Sequence, residues 1–418
     1  MTIINQKKIE IMAPAGSYES LAAAIKAGTN SIYFGVGDLN MRSRSANFEL
    51  DDLEKVAQIC KENNVKSYLT LNTVVYDNEL ELIKQLCDRA KQTGITAVIA
   101  SDISVIEYAH SIELEVHIST QANVSNFEAI KFYSKYADVI VLARELKIEQ
   151  IKEICEKIKS ENICGPKNNL IEIEIFVHGA LCVSISGKCY MSLAQYNFSA
   201  NRGACLQACR RSYLVTDEET GDELIVDNKF IMSPKDLCTI KFLDKIIDSG
   251  VSVLKIEGRG RSPDYVYTTV KSYREATDAC LTYKFNEEKI NNWVKQLEEV
   301  FNRGFWHGGY YLGNKLGEWC DCYGSKATKQ KKQLGTVKNY FSKVNVMEIE
   351  IEANEIVKGD EIVVIGPTTG VVKEKVEIIR NSLDNKNIES AEKGMKITIP
   401  INEKVRMNDK VYLWVNRN

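Results

Sequence analysis

From the N-terminus to about Glu257, hydrophobic positions alternate between two periods. Short β-rich runs stand at Lys8–Met12, Ser31–Val36, Val65–Thr73, Thr96–Ser101, Leu114–Ser119, Ala137–Ala143, Ile171–Val177 and Val251–Glu257. Between the first six lie segments with apolar residues at helical spacing, among them SYESLAAAIKAG, DLEKVAQICKENN, NELELIKQLCDRAKQTG and SNFEAIKFYSKY. Several end in Gly or Asn, as helix C-termini do. Strand–helix alternation implies parallel pairing with right-handed crossovers, and eight such units close into a (β/α)8 barrel. The fold expected is α/β, a TIM-like barrel. An open doubly wound sheet is the alternative, weakened because no G-x-G-x-x-G follows the first strand.

A barrel places its chemistry at the C-terminal ends of the strands. Those ends read Pro14-Ala15-Gly16, Gly35-Val36-Gly37, Asn72, Asp102, Ser119 to Asn123, Arg144-Glu145, His178-Gly179 and Glu257-Gly258-Arg259. They are small, polar or charged, whereas the strand interiors are read as Ile, Val and Leu. After the seventh strand the pattern breaks: about 50 residues, Ala180–Phe230, precede the helix-like SPKDLCTIKFLDKIIDSG, long for a βα loop. From Leu334 the texture changes to short alternating strands with KGD and GPTTG turns, which predicts a small β-barrel over 334–418. Residues 1–325 form the first domain in this reading, Glu288–Phe301 a joining helix, and Lys326–Lys332 (KATKQKK) a basic linker.

Composition narrows the function. The 418-residue chain carries a net charge of -3, so any nucleic-acid contact must use a local basic patch. The N-terminus MTIINQKKIEIMAPAGS lacks a signal-like apolar run and no stretch reaches membrane-spanning length. A cytoplasmic location is therefore expected, with no membrane and no DNA partner. Twelve cysteines are many for that compartment, where disulfides are rare. Cys60, Cys87 and Cys155 sit at apolar positions of helical segments and read as small buried hydrophobes. Cys320-x-Cys322 is too close-spaced for an ordinary disulfide.

The inserted segment holds Cys182, Cys189, Cys205 and Cys209, spaced C-x6-C-x15-C-x3-C, and Cys238 follows in what reads as the next helix. Three uses stay open: a disulfide set, which the compartment opposes; zinc, which favours tight C-x2-4-C pairs; and an iron–sulfur cubane, whose four irons spread their ligands more widely.

IEIFVHGALCVSISGKCYMSLAQ, NRGACLQACR, SPKDLC and LKIEGRGRSPDYVYTTVKSYREA resemble the signature of the collagenase-like peptidase family U32, and MAPAGSYESLAAAIKAGTNSIYFGVGDLNMRSRSANF resembles that family's N-terminus. The resemblance covers nearly the whole chain. It implies a [4Fe–4S] cluster and O2-independent hydroxylation of an RNA base or a quinone ring. A barrel plus a small terminal β-barrel is similar to the branch that hydroxylates the wobble uridine of tRNA to 5-hydroxyuridine with prephenate. The terminal barrel also resembles domain two of translational GTPases. By the same resemblance Cys182, Cys189 and Cys205 are cluster ligands, with the fourth either Cys209, favoured because C-x3-C brings both thiolates to one loop, or Cys238.

For that chemistry, Asn72, Gln121 and Asn123 are candidates to read the base edge, and His178 to shuttle a proton or bond a cluster sulfur. Prephenate is a dicarboxylate, so arginine forks are sought at Arg42, Arg44, Arg144, Arg259 and Arg261. Arg202, Arg210 and Arg211 bracket the cysteine pair and, with the lysine run, are candidates for tRNA phosphates. The rival readings are a collagenase-like peptidase, for which no G-x-S-x-G, H-E-x-x-H or Ser–His–Asp set is found; a zinc-stabilised RNA-binding module; and hydroxylation of another base or small ring.

Overall fold

The computed structural model describes residues 9–214, 216–221, 232–313 and 318–417. Lys8 of the first expected strand and residues 222–230 of the expected insertion lie outside them.

All eight barrel strands form near the positions that their hydrophobic runs predict. In chain order they are β1 (Glu10–Pro14), β2 (Ser31–Phe34), β3 (Lys66–Leu71), β4 (Ala97–Ala100), β5 (Glu115–Ile118), β6 (Val139–Val141) and β7 (Glu172–Gly179), with the circle completed by β9 (Val253–Ile256) after a short β8 (Asp236–Cys238). Neighbours pair in parallel from β1 through β7, and β9 pairs with both β1 and β7, which closes the barrel. Helices cover the outside and are capped by their own sequence. Ser17, Asp102 and Asn126 each accept a bond from a first-turn amide, and Gly94 ends the helix Leu80–Thr93 in a left-handed conformation.

Two strands were not expected. The segment around Cys238, read from sequence as helix, forms β8, antiparallel to the end of β7. A further strand, β10 (Phe305–His307), pairs with β8. β7 outruns β6, which pairs only with Glu172–Glu174, so its last residues keep β9 on one edge and offer the other edge to β8. Only Leu243–Asp248 of SPKDLCTIKFLDKIIDSG is α-helical.

The barrel interior also departs from expectation. Ile and Val at alternate strand positions face outward under the helices, while the interior carries Tyr33, Tyr68, Met12, Ile99 and Val253 together with charged groups. Lys255 donates to Glu174 at 2.6 Å, and Glu174 is 0 % exposed. Tyr68 donates to Glu10 at 2.8 Å, and His117 lies 3.3 Å from Glu115. A buried charge persists only where it is paired, so these pairs are what make a polar interior tolerable.

The C-terminal region is an eight-stranded antiparallel sheet curled over one core that includes Leu334, Val337, Met347, Ile349, Val372 and Ile397. Its first strand begins at Lys329, so most of the lysine run belongs to the sheet and is no linker. Lys329 pairs with Glu361, and Lys331 reaches across to Asp264 on the barrel. The region docks on the barrel's flank, where Gly370 abuts the backbone of Ala22 and Ala23 and Lys26 donates to the carbonyl of Val371 at 2.8 Å.

Candidate functional site

One deep pocket opens at the C-terminal end of the barrel. Its floor is Tyr33, Thr70, Phe176 and Lys255 from the strands, and its outer wall is the cysteine-bearing insertion. Cys182, Cys189, Cys205 and Cys209 all line it. Gln207, between the last two, has φ 54° and ψ 41°. This left-handed conformation costs a non-glycine residue roughly 1–2 kcal/mol, and it turns both Cys205 and Cys209 toward the pocket. Gly203 lets the insertion lie against the loop after β2, since a Cβ there would meet the Asn40 carbonyl oxygen at 2.1 Å. Arg210 ties the two ends of the insertion together by donating to the carbonyl oxygens of Leu181 (2.5 Å) and Pro234 (2.6 Å).

Among the described residues, the group of potential ligand atoms that lie within 4.8 Å of one another is Cys320, Asp321 and Cys322, away from this pocket. Ser192 Oγ and the Gln207 amide approach the Cys205 sulfur, at 3.8 and 3.4 Å, as donors to a thiolate do. Burial pushes the Cys209 thiol up; the neighbouring Cys182, Cys205 and Cys189 add to this and Arg210 opposes it. Cys238 stands apart. It ends β8, is fully buried, lies outside the pocket lining, and its thiol is pushed up to about 12 by burial. Cys238 was expected at the start of a helix; the structure places it at the end of a strand instead.

The charged part of the lining is mostly cationic. Arg42, Arg144, Arg210, Arg259, Arg261, Arg303 and Lys255 face the pocket, against one carboxylate among the described residues, Glu257. Arg42 pairs with Glu257 at 2.5 Å. Burial alone would raise the Glu257 pKa, but Arg42, Arg144 and Arg259 outweigh it and hold it at about 2. Arg259 is buried, drawn down to about 10 by desolvation, and donates to Thr70 and Asn40. Gly35 makes room for it, because a Cβ there would lie 2.7 Å from the Arg259 guanidinium. Arg144 donates to the Ala180 carbonyl at 2.9 Å and stacks over Phe176.

Of the polar candidates, Asn72 and Gln121 line the pocket. Asn72 bridges the Met41 amide and Ser119, and Gln121 donates to Ser186 at 3.1 Å. Asn123 lines an adjoining recess with Arg144 and Cys182. His178 does not reach the pocket. The pairing of β7 with β9 shifts register between Phe176 and His178, and this bulge reverses the inward phase that Glu174 and Phe176 share. The imidazole therefore points outward, 2 % exposed, among Tyr265, Tyr273 and Phe305. None of the chain's histidines lines the pocket among the described residues. Arg202, expected at phosphates, is held by Glu79.

Burial, with His307 nearby, lowers the His178 pKa to about 3. The ring is neutral in the fold but takes up a proton in the unfolded chain below about pH 6.5. Stability is therefore lost as pH falls from 6.5 toward 3, by about 2 kcal/mol at pH 5 from this residue. Urea melts between pH 7 and 5 should show this loss in the wild type and a flatter profile in His178→Gln. Identical profiles would remove His178 as the source.

Lysine- and arginine-reading alone missed Lys255, Arg303 and the inward course of Arg210. The signal for Lys255 was a lysine inside a buried strand.

A closed parallel barrel with four thiols and a cluster of guanidiniums lining one pocket at its mouth defines a TIM-like barrel protein. The chain belongs to Peptidase family U32, whose model matches residues 16–321. A "Collagenase" of Porphyromonas gingivalis is 55% identical over 99% of this chain and 100% of its own length. The "tRNA hydroxylation protein P1" of Bacillus subtilis is 29% identical over 98% of this chain and 96% of its own. The "23S rRNA 5-hydroxycytidine C2501 synthase" of Escherichia coli is 33% identical over 75% of this chain and 47% of its own length.

Proposed function

We propose that this protein hydroxylates the wobble uridine of tRNA to 5-hydroxyuridine, with a [4Fe–4S] cluster on Cys182, Cys189, Cys205 and Cys209 and prephenate as co-substrate. The observation that carries the reading is the pocket's composition: four thiols share one cavity with seven cationic side chains and, among the described residues, a single carboxylate. Such a cavity suits a cluster and a small dicarboxylate, and it suits a peptide poorly. Two relatives named for RNA hydroxylation, one spanning nearly this whole chain, point the same way.

When bound, the cluster supplies one-electron redox chemistry that no side chain provides. Arg144 offers a guanidinium to a carboxylate, Arg259 adds positive charge from behind while tied to Thr70 and Asn40, and Glu257 fixes Arg42 in place. Asn72 and Gln121 present amide donors and acceptors to the edge of a uracil ring that has left its stack. Tyr33 and Phe176 form an apolar floor that keeps water from the ring. The peptidase reading lacks support in the pocket, because no histidine stands beside any of its thiols to activate one.

Nucleoside mass spectrometry of tRNA from a strain lacking the gene is expected to show loss of wobble 5-hydroxyuridine. The wild-type gene should restore it and Cys205→Ser should not. Persistence of the nucleoside in a strain with no second copy of the gene would refute the assignment.

A further inference from the structure

Beside the thiol pocket runs a second groove. The two share Met41, Arg42, Ser45, Cys205, Gln207 and Arg210, so they are continuous. The groove adds Arg44, Arg211 and Tyr323, and among the described residues no carboxylate lines it. Its charges are not equivalent. Arg42 is balanced by Glu257, and Arg210 is spent on carbonyl oxygens and lies beside Cys209. Arg44 and Arg211 are exposed and have no carboxylate partner among the described residues. Each instead lies against an aromatic ring, Arg44 over Phe198 and Arg211 over Tyr196, both at 4.9 Å, and Arg211 also donates to the Tyr196 hydroxyl. Phe198 is 40 % exposed and Tyr323 80 % exposed.

We propose that this groove seats the phosphodiester backbone of an unpaired RNA strand next to the nucleotide that enters the pocket. Arg44 and Arg211 would hold the phosphates, and Tyr323 would stack on a neighbouring base. The inference rests on the RNA reading above and extends it to a defined surface. The physical basis is charge complementarity and continuity. Exposed guanidiniums without counter-charges bind phosphate strongly. Exposed rings beside a cationic track stack on bases, which an acidic peptide does not offer. A base that enters the adjoining pocket must have left its pair, which an unpaired strand does at least cost.

The test uses the full-length protein, purified without oxygen, and a fluorescein-labelled anticodon stem–loop RNA. Binding is measured by anisotropy from ~50 to ~200 mM salt. Arg44→Gln/Arg211→Gln should weaken binding about tenfold and reduce the slope of log K against log salt by about 1.4, which is two single-strand phosphate contacts. Tyr323→Ala should weaken binding severalfold without changing that slope. Iron content and thermal midpoint should match the wild type in both variants, and hydroxylation should recover at saturating RNA. An unchanged affinity and slope in the double variant would overturn the groove while leaving the hydroxylase reading intact. An equal loss with fully paired RNA would also overturn it, as would loss of binding to a gelatin peptide in place of RNA. If the wild type fails to bind the stem–loop at all, the RNA reading itself falls.

Discussion

Cys209→Ser is expected to lose the cluster, and Cys238→Ser to keep it. Protein purified without oxygen should carry about four irons and four sulfides per chain. Cys209→Ser should fall below about one and lose wobble-uridine hydroxylation to background. Cys238→Ser should retain the iron, the brown colour and most of the activity, with some loss of stability. The reason is position. Cys209 lines the pocket with the other three thiols, and its thiol responds to each of them. Cys238 is buried beside Tyr273 at the end of β8 and is not among the residues that line the cavity. Metal and acid-labile sulfide analysis decides the matter. Loss of iron in Cys238→Ser with retention in Cys209→Ser would reverse the ligand assignment.

The second large effect is expected inside the barrel. Lys255→Met leaves Glu174, at 0 % exposure, without its 2.6 Å partner. Stranding one half of a buried pair costs about 3–5 kcal/mol, which lowers the melting midpoint by on the order of 10 °C. Glu174→Gln/Lys255→Met should recover much of that loss, because no uncompensated charge remains. Removing the exposed Lys91–Glu113 pair, 3.9 Å apart, should change stability by less than about 0.5 kcal/mol. Circular-dichroism melts of the three variants check this. A double variant no more stable than Lys255→Met would mean that the pair is not what holds Glu174 in the barrel.

The eight barrel strands were legible because each is a short β-rich run flanked by helical spacing, and the polar strand ends marked the pocket face. The cysteines were legible as a group because of their density. Other features depend on facts that no local pattern carries. The strand β8 was hidden in a helix-like segment, because Leu237 and Cys238 pack at an edge created only when β7 outruns β6. The charged interior was hidden because Glu174 and Lys255 meet across 81 residues. Arg210 read as a surface cation beside a cysteine, yet it folds inward to carbonyl oxygens of segments far from it in sequence. The lysine run read as a linker, although Lys329 and Lys331 share one face of a strand and find Glu361 and Asp264.

The register shift in β7 reaches beyond the fold. One additional residue in the strand decides whether the imidazole at its end serves the cavity or the packing layer behind the wall. In a barrel of this kind, acquiring or discarding a proton-transfer group at the mouth need not involve a new side chain at all. A single-codon insertion or deletion upstream of His178 would rotate an existing one into or out of service.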